Sequence, residues 1–128
     1  MRIAVSIEGA GDTAVVSPRF GRSAGFVLFD VESGGQPITP AAEMSGIGRG
    51  LGSGAGVATA QSLTDAGVDA VIAGNFGPNA VSVLRTAGIK MYAAAPLPAV
   101  KAVEELLAGR LMAVTGATTP SHSGLRRG

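Results

Sequence analysis

A run of alternating glycines is the part of this sequence with the clearest capacity for chemistry. Glycine occupies every second position from Gly46 to Gly56, six times in eleven residues. Glycine tolerates positive φ angles and lets a ligand approach the backbone closely, but it loses the most conformational entropy on folding. A helix that begins directly behind such a loop directs unpaired N–H groups and the positive end of its dipole into the loop. The segment therefore predicts an anion-binding loop.

A second loop has similar character. Asn75 and Asn79 flank a glycine and Pro78, and proline suits the first position of a helix. Arginine side chains from nearby loops, Arg19, Arg22 and Arg49, could pair with an anion through their planar donor forks. From these two loops we expect cofactor-binding roles for Arg49, Gly52, Gly54, Gly56, Asn75, Gly77 and Asn79.

Neither loop matches a familiar nucleotide fingerprint. No window satisfies G-x-G-x-x-G, and no Gly-Lys-Ser/Thr is present for a P-loop. A nucleotide site of either kind is therefore disfavoured. The alternative that the glycine run is a mobile surface loop without a ligand stays open at this point.

Composition limits the classes of function. The 128 residues suit one domain, and ten basic against nine acidic residues argue against a broad nucleic-acid-binding surface. Cysteine is absent and His122 is the one histidine, so thiolate ligands and a structural zinc site of the usual type are excluded. No apolar run approaches the roughly eighteen residues that a membrane span needs. We expect a cytoplasmic protein with one domain over residues 1–112 and a disordered tail over 113–128.

The pattern of strands and helices indicates how the loops are positioned. Apolar and β-branched runs predict strands over residues 2–7, 26–31, 38–43, 68–74 and 89–93. Helical spacing predicts helices over residues 57–66, 79–87 and 98–108. Gly67 and Gly88 suit C′ positions that end two of these helices. Pro37 and Pro40 favour an edge position for the third strand.

These elements predict an α/β fold with a mixed five-stranded sheet. Three antiparallel strands come first, and alternating helices and parallel strands extend them. In open α/β sheets, ligands bind outside the carboxyl ends of the parallel strands. The sequence therefore predicts that the loops at 46–56 and 75–79 bring two helix N-termini to one shallow pocket.

Residues 54–61, 67–80 and 87–92 resemble the dinitrogenase iron-molybdenum cofactor biosynthesis family. This family includes NifX- and NafY-like proteins and the C-terminal part of NifB, and the resemblance covers roughly residues 1–108. It implies a ribonuclease H-like three-layer fold and a non-catalytic protein that binds or carries iron-sulfur or iron-molybdenum cofactors or their precursors. It also implies cofactor-assembly or nitrogenase-type proteins as partners and a connection to nitrogen fixation.

The departures from the family pattern concern the ligands. Members often carry His-Phe-Gly before the second strand, and here the matching residues are Arg19, Phe20 and Gly21. The resemblance therefore adds these three residues to the predicted site, with an arginine in place of a candidate metal ligand. Some relatives place cysteine near the glycine loop, and this chain has none. An iron-sulfur or iron-molybdenum cluster and a molybdate-like oxyanion are both compatible with this residue set.

Two other classes of function are considered. A nuclease needs clustered carboxylates that hold two divalent ions about 4 Å apart, and the acidic residues here are scattered along the sequence. A protein-interaction or oxyanion-binding module without a metal cluster is the main alternative. Met44 and Met91 are interpreted as core residues rather than ligands. We expect no enzymatic activity, no nucleic-acid or membrane partner, and a monomer or weak homodimer.

Overall fold

The computed structural model describes residues 1–9, 14–32, 39–45 and 55–115. Within these ranges the chain forms seven strands and three α-helices. The strands are β1 (Arg2–Glu8), β2 (Val15–Val16), β3 (Gly25–Asp30), β4 (Ala42–Ser45), β5 (Ala70–Ala73), β6 (Lys90–Ala93) and β7 (Met112–Ala113). The helices are α1 (Ala55–Asp65), α2 (Pro78–Thr86) and α3 (Ala99–Leu107), and a short 3-10 turn covers Phe20–Arg22.

One mixed sheet contains all of these strands. Its order is β4-β3-β1-β5-β6-β7, and β2 pairs with the end of β1. β1 is antiparallel to β3 and parallel to β5, and β5 is parallel to β6. The predicted change from antiparallel to parallel pairing is therefore confirmed. The carboxyl ends of β1, β5 and β6 consequently lie at the same edge of the sheet.

The predicted count of five strands is wrong, because the described residues include two further strands, β2 and β7. Each has only two residues, which is too short to produce an alternating apolar pattern in the sequence. Both form by pairing with a strand that is already in place: β2 with β1, and β7 with β6. The three-layer α/β arrangement agrees with the prediction, whereas the ribonuclease H-like classification stays a prediction.

Two apolar clusters cover the two faces of the sheet. On one face, residues of α1 and α2 pack against the sheet, including Ala60, Leu63, Val81 and Leu84. On the other face, Ala102 and Val103 of α3 pack against a second cluster. Because β1 and β5 lie between these layers, nearly all of their side chains are buried.

Glycine ends the helices as the sequence predicts. Gly67 has φ +74° after α1 and Gly88 has φ +78° after α2. This left-handed conformation is unfavourable for residues with a Cβ, so these glycines suit the ends of the helices. Pro78 occupies the first turn of α2, as expected from its fixed φ angle. Each predicted helix bound differs from the observed bound by one or two residues.

The third antiparallel strand lies later in the chain than predicted, at Ala42–Ser45 rather than 38–43. It is an edge strand of the described sheet, as the prolines indicated. Pro37 is outside the described residues. The backbone N–H of Ala41, directly after Pro40, donates to the Leu28 carbonyl (2.7 Å). Hydrogen bonding to β3 is therefore observed at the first residue after Pro40, which itself has no N–H to donate.

The end of the described chain remains attached to the sheet. Val114 is buried, and its N–H donates to the Met91 carbonyl (2.9 Å). Residues 116–128, including His122, lie outside the described residues, and the division at residue 112 stays a prediction. Across the described ranges, every helix is too short or too polar to cross a membrane.

Candidate functional site

Three chain segments meet at the carboxyl ends of β1 and β5. The Ser17 N–H donates to the Ser6 carbonyl (2.7 Å), and the Gly74 N–H donates to the Ser17 carbonyl (2.8 Å). The Phe20 N–H donates to the Asn75 carbonyl (3.1 Å). These backbone bonds connect the loop that follows β2 to both β1 and the loop that follows β5. Residues far apart in the sequence therefore form one surface at this edge.

Glycines allow these segments to approach at backbone distance. A Cβ added to Gly74 would lie 2.7 Å from the Pro18 Cα, and one added to Gly21 would lie 3.1 Å from the Gly56 Cα and N. A Cβ added to Gly56 would lie 3.3 Å from the Ala80 Cβ. The loop after β2 thus contacts the start of α1, and the start of α1 contacts the start of α2. The packing brings the N-termini of the two helices side by side.

The start of α2 leaves N–H donors available. Gly77 is its N-cap residue and provides no side-chain cap, and Pro78 has no N–H. The Val81 N–H donates to the Gly77 carbonyl (3.0 Å), and the N–H groups of Asn79 and Ala80 belong to the first turn of the helix, where such groups ordinarily lack intrahelical acceptors. Because the start of α1 lies beside them, the positive ends of two helix dipoles converge. The prediction that two helix N-termini converge agrees with this arrangement for residues 55–56 and 75–79, the described parts of the two loops.

Arg19 lies on the surface of this region. Its side chain is exposed, and its guanidinium forms no ion pair within the described part of the chain. The buried Ser17 hydroxyl positions the Arg19 backbone: it accepts from the Arg19 N–H (3.2 Å) and donates to Glu8 Oε2 (3.0 Å). The Arg19 backbone is therefore held next to Phe20 and Gly21, which contact the Asn75 carbonyl and the start of α1. A guanidinium on this loop adds positive charge where the N–H donors already favour an anion.

Phe20 differs from the role predicted for it. Its ring is only 2% exposed, stacks on Phe76 (centroids 5.4 Å apart) and meets Phe26 edge-on (5.6 Å). In this structure the ring belongs to the core and does not present a surface to a ligand. Its physical effect is to anchor the 3-10 turn that carries Gly21.

The remaining predicted residues divide by location. Asn75 is half-buried, and its side-chain Nδ2 donates to the Pro18 carbonyl (3.2 Å), so its amide joins the two loops. Asn79 is exposed in the first turn of α2. Arg49, Gly52 and Gly54 lie outside the described residues, and their predicted roles stay predictions. We call the residues that the structure brings together the carboxyl-end site: Arg19, Gly21, Gly56, Asn75, Gly77 and Asn79.

Sequence reasoning missed two residues that shape this site. Ser17 has no role in the predicted site, and Gly74 is predicted only as the end of the strand over residues 68–74. Both act through contacts with residues more than fifty positions away or on another strand, and no local pattern reports such contacts. The position of Gly74 between a buried strand and Asn75 was the one available signal.

The groups available at the carboxyl-end site suit hydrogen bonding to an anion. In the described ranges, no three histidine or acidic side chains are close enough to hold a metal ion together. Met91 is buried and Met44 packs against the same apolar cluster, which confirms their interpretation as core residues. The site therefore offers N–H donors and a guanidinium rather than a set of metal ligands.

A cavity on the opposite face of the sheet is a less suitable anion site. It has a volume of about 370 Å³ and lies between α3 and the strands, with Phe29, Glu43 and Val100 among the residues around it. Glu43 is the one charged residue among the described residues that line it. A carboxylate in an apolar surrounding repels an anion, so this cavity lacks the donors found at the carboxyl-end site.

Comparison with known proteins places the chain among cofactor-related proteins. It is similar to the orange protein of Desulfovibrio gigas, solved in its apo form, with 35% identity, a TM-score of 0.82, and coverage of 92% of this chain and 96% of that chain. It is also similar to a Thermotoga protein provisionally described as NifB, with 31% identity, a TM-score of 0.69, and coverage of 93% and 97%. An uncharacterised protein of Methanocaldococcus jannaschii is 32% identical over 111 residues, which are 87% of this chain and 89% of that protein.

The family assignment follows from a match that extends through all three helices. The family model described as dinitrogenase iron-molybdenum cofactor matches residues 1–109, and this range contains every described residue of the carboxyl-end site. The resemblance noted in the sequence is confirmed by this match and by the similarity in structure to the Thermotoga protein. The chain therefore belongs to the dinitrogenase iron-molybdenum cofactor family.

Proposed function

We propose that this protein binds and carries an anionic metal cofactor, or a precursor of one, at the carboxyl-end site without catalysing a reaction. The observation that carries the proposal is the meeting of two helix N-termini beside the loop that carries Arg19, an exposed residue with no ion pair in the described ranges. The family of the chain and its similarity to the apo orange protein support a cofactor as the ligand. An iron-sulfur or iron-molybdenum cluster and a molybdate-like oxyanion are the candidate ligands.

The residue set indicates how such a ligand would be held. The sequence contains no cysteine, and its one histidine, His122, lies outside the described residues. Thiolate and imidazole are the side chains that proteins commonly use to bind iron in clusters. The carboxyl-end site instead offers backbone N–H groups and an arginine, which fit the outer atoms of an anion. We therefore propose binding through hydrogen bonds and charge, with the metal keeping the ligands that it brings.

Uptake by an Arg19→Ala variant tests the proposal. The parent and the variant are titrated with molybdate by calorimetry and, in parallel, are loaded anaerobically with isolated iron-molybdenum cofactor and assayed by visible absorption and metal content. A hydrogen bond to a charged group contributes about 1.5–3 kcal/mol, so we expect the affinity of the variant to fall about tenfold or more. Arg85→Ala is the matched control, because Arg85 is exposed on α2 and its guanidinium donates to Thr115 rather than to the site.

The outcomes separate the candidate functions. Equal uptake by Arg19→Ala and the parent would remove Arg19 from the site, and failure of the parent to bind either probe would reject the carrier proposal. Binding of molybdate without the cofactor would favour the oxyanion-binding module. That second candidate is favoured by one observation, the absence of thiolate from a site rich in N–H donors. Partners from cofactor assembly belong to the same proposal and would be sought only with loaded protein.

A further inference from the structure

Two buried serines of the described chain have side chains without a hydrogen-bond partner. Among the described residues, the buried side-chain polar atoms without a hydrogen-bond partner are Ser6 Oγ and Ser23 Oγ. Ser6 is fully buried and Ser23 is 2% exposed. Ser23 directly follows the 3-10 turn Phe20–Arg22, and Ser6 lies on β1 near the same edge of the sheet. An unpaired buried hydroxyl is costly, so one on β1 and one directly after the 3-10 turn call for a physical reason.

The register of the sheet locates Ser6 beneath Phe20. Ser6 is opposite Phe26 in the pairing of β1 with β3, and it is beside Ala73 because Val5 pairs with Ile72 in the parallel register. The Phe20 ring contacts Phe26 on one side and Phe76, three residues after Ala73, on the other. Phe20 therefore spans the position of Ser6 on the face of the sheet that α1 and α2 cover.

Phe20 also separates Ser6 from the carboxyl-end site. The next residue, Gly21, contacts the backbone of Gly56 at the start of α1, and Arg19 on the other side is exposed. The turn has only three residues and no side-chain cap, and one backbone bond, from the Phe20 N–H to the Asn75 carbonyl, joins it to the loop after β5. Short 3-10 segments have poorer hydrogen-bond geometry than α-helices, so the packing of the Phe20 ring on Phe26 and Phe76 is the main contact that opposes an outward movement of the turn.

We propose that Phe20 is a movable plug over a second layer of the site, and that Ser6 and Ser23 donate hydrogen bonds to the bound anion when the 3-10 turn moves outward. The inference rests on the proposed function, because it requires an anionic ligand. In the ligand-free protein the plug is closed and both hydroxyls are unpaired. In the loaded protein the ligand accepts hydrogen bonds from the Ser6 and Ser23 hydroxyls. Because only the open form makes these bonds, the ligand shifts the population toward the open turn.

Removal of a hydroxyl tests the donor role. In the ligand-free protein, Ser6→Ala removes an unpaired polar atom, so we expect its Tm to equal or exceed that of the parent. Its affinity for the probe that the parent binds, molybdate or iron-molybdenum cofactor, is expected to fall about fivefold, and Ser23→Ala is expected to act likewise. Thr59→Ser is a control, since the Thr59 hydroxyl is buried but already donates to the Ala55 carbonyl (2.8 Å). Unchanged affinity in both alanine variants overturns the donor role.

Thiol labelling tests the plug without a ligand. Because the chain has no cysteine, Ser6→Cys introduces a unique thiol of similar size. We expect slow reaction with an aromatic disulfide reagent, and acceleration of at least about tenfold when Phe20→Ala is added, because labelling follows the population of the open form. Leu63→Ala is the matched control, since Leu63 is a fully buried residue of the same cluster but lies near the end of α1, whereas the turn contacts Gly56 at its start.

The labelling result remains informative whether or not the parent binds a probe. A rate that is insensitive to low urea reports local opening rather than global unfolding. Equal acceleration by Phe20→Ala and Leu63→Ala at matched stability overturns the plug. If the parent binds neither probe, the proposed function and the donor role fail together, whereas the labelling comparison still decides whether Phe20 covers Ser6.

Discussion

The two ends of β1 satisfy their polar groups in different ways. At the amino end, Arg2 Nε donates to Asp30 Oδ1 (2.8 Å), Arg2 Nη1 donates to the Ala66 carbonyl (2.9 Å), and the Arg2 N–H donates to Asp69 Oδ2 (2.7 Å). The hydrogen bond from Arg2 lowers the pKa of the Asp30 carboxyl, with desolvation opposing this shift and the positive charge of Arg2 adding to it. Charged groups at this end therefore bind one another.

At the carboxyl end of the same strand, donors outnumber their protein partners. The Ser6 and Ser23 hydroxyls are unpaired, α2 begins without a side-chain cap, and no ion pair holds Arg19 within the described residues. Each unpaired buried polar group costs about 1–3 kcal/mol. Charged groups at the amino end are therefore paired with one another, whereas the carboxyl end has hydrogen-bonding groups without a partner among the described residues. This difference supports a ligand at the carboxyl end, and variants at each end test it.

The largest effect is expected from Gly74→Ala. The added Cβ would lie 2.7 Å from the Pro18 Cα, a backbone atom that cannot rotate away, so the loop after β2 must shift. We expect a loss of about 2–3 kcal/mol in the free energy of unfolding, measured in urea, together with a loss of cofactor uptake. Gly88→Ala is the control: its strained φ of +78° also reduces stability, but uptake should persist because Gly88 is remote from the site. Equal uptake by the two variants would contradict the prediction.

Gly21→Ala is expected to act next most strongly. Its Cβ would lie 3.1 Å from the Gly56 backbone, so the 3-10 turn and the start of α1 must separate by a few tenths of an ångström. We expect about 1–2 kcal/mol of destabilisation and a fall in molybdate affinity that exceeds the fall in stability. Gly56→Ala serves for comparison, because its new Cβ would lie at a longer distance, 3.3 Å, from the Ala80 Cβ and alanine favours the helix. A larger destabilisation by Gly56→Ala would show that the helix contact, rather than the turn, limits the packing.

Changes at Asn75 should have a smaller effect on stability. Asn75→Ala removes the bond from Nδ2 to the Pro18 carbonyl, and we expect a loss of about 1 kcal/mol in chemical denaturation. Asn75→Asp removes the same donor and adds a negative charge beside the helix N-termini. Its anion affinity should therefore fall further than that of Asn75→Ala, and the difference should shrink at high salt. Identical affinities for the two variants would indicate that no anion approaches this loop.

The smallest effect is expected at the amino end and concerns pH. Because the pKa of Asp30 is lowered in the folded protein, its pairing with Arg2 stabilises the fold above the ordinary pKa of an aspartate. That contribution is lost as pH falls below about 4. In Asp30→Asn, the decrease in stability between about pH 5 and 2 should be smaller, as measured by thermal unfolding at each pH. Anion uptake at neutral pH should be unchanged. Impaired uptake in this variant would mean that the two ends are coupled.

Local patterns were sufficient for much of the architecture. The helix ends at Gly67 and Gly88, the start of α2 at Pro78 and the change in strand direction were all predicted, because each depends on φ preference or on side chains a few residues apart. The family could also be recognised from short segments around Asn75. The anion-binding character of the glycine-rich and Asn75 loops was inferred on the same local grounds.

The tertiary structure alone decided which groups meet and which remain unpaired. Two-residue strands such as β2 exist only because β1 is there to pair with them. The burial of Phe20, the role of Ser17 and the unpaired hydroxyls of Ser6 and Ser23 arise from contacts across strands and loops. A residue type specifies what a group can donate or accept, but the distance to a partner depends on how the whole chain packs.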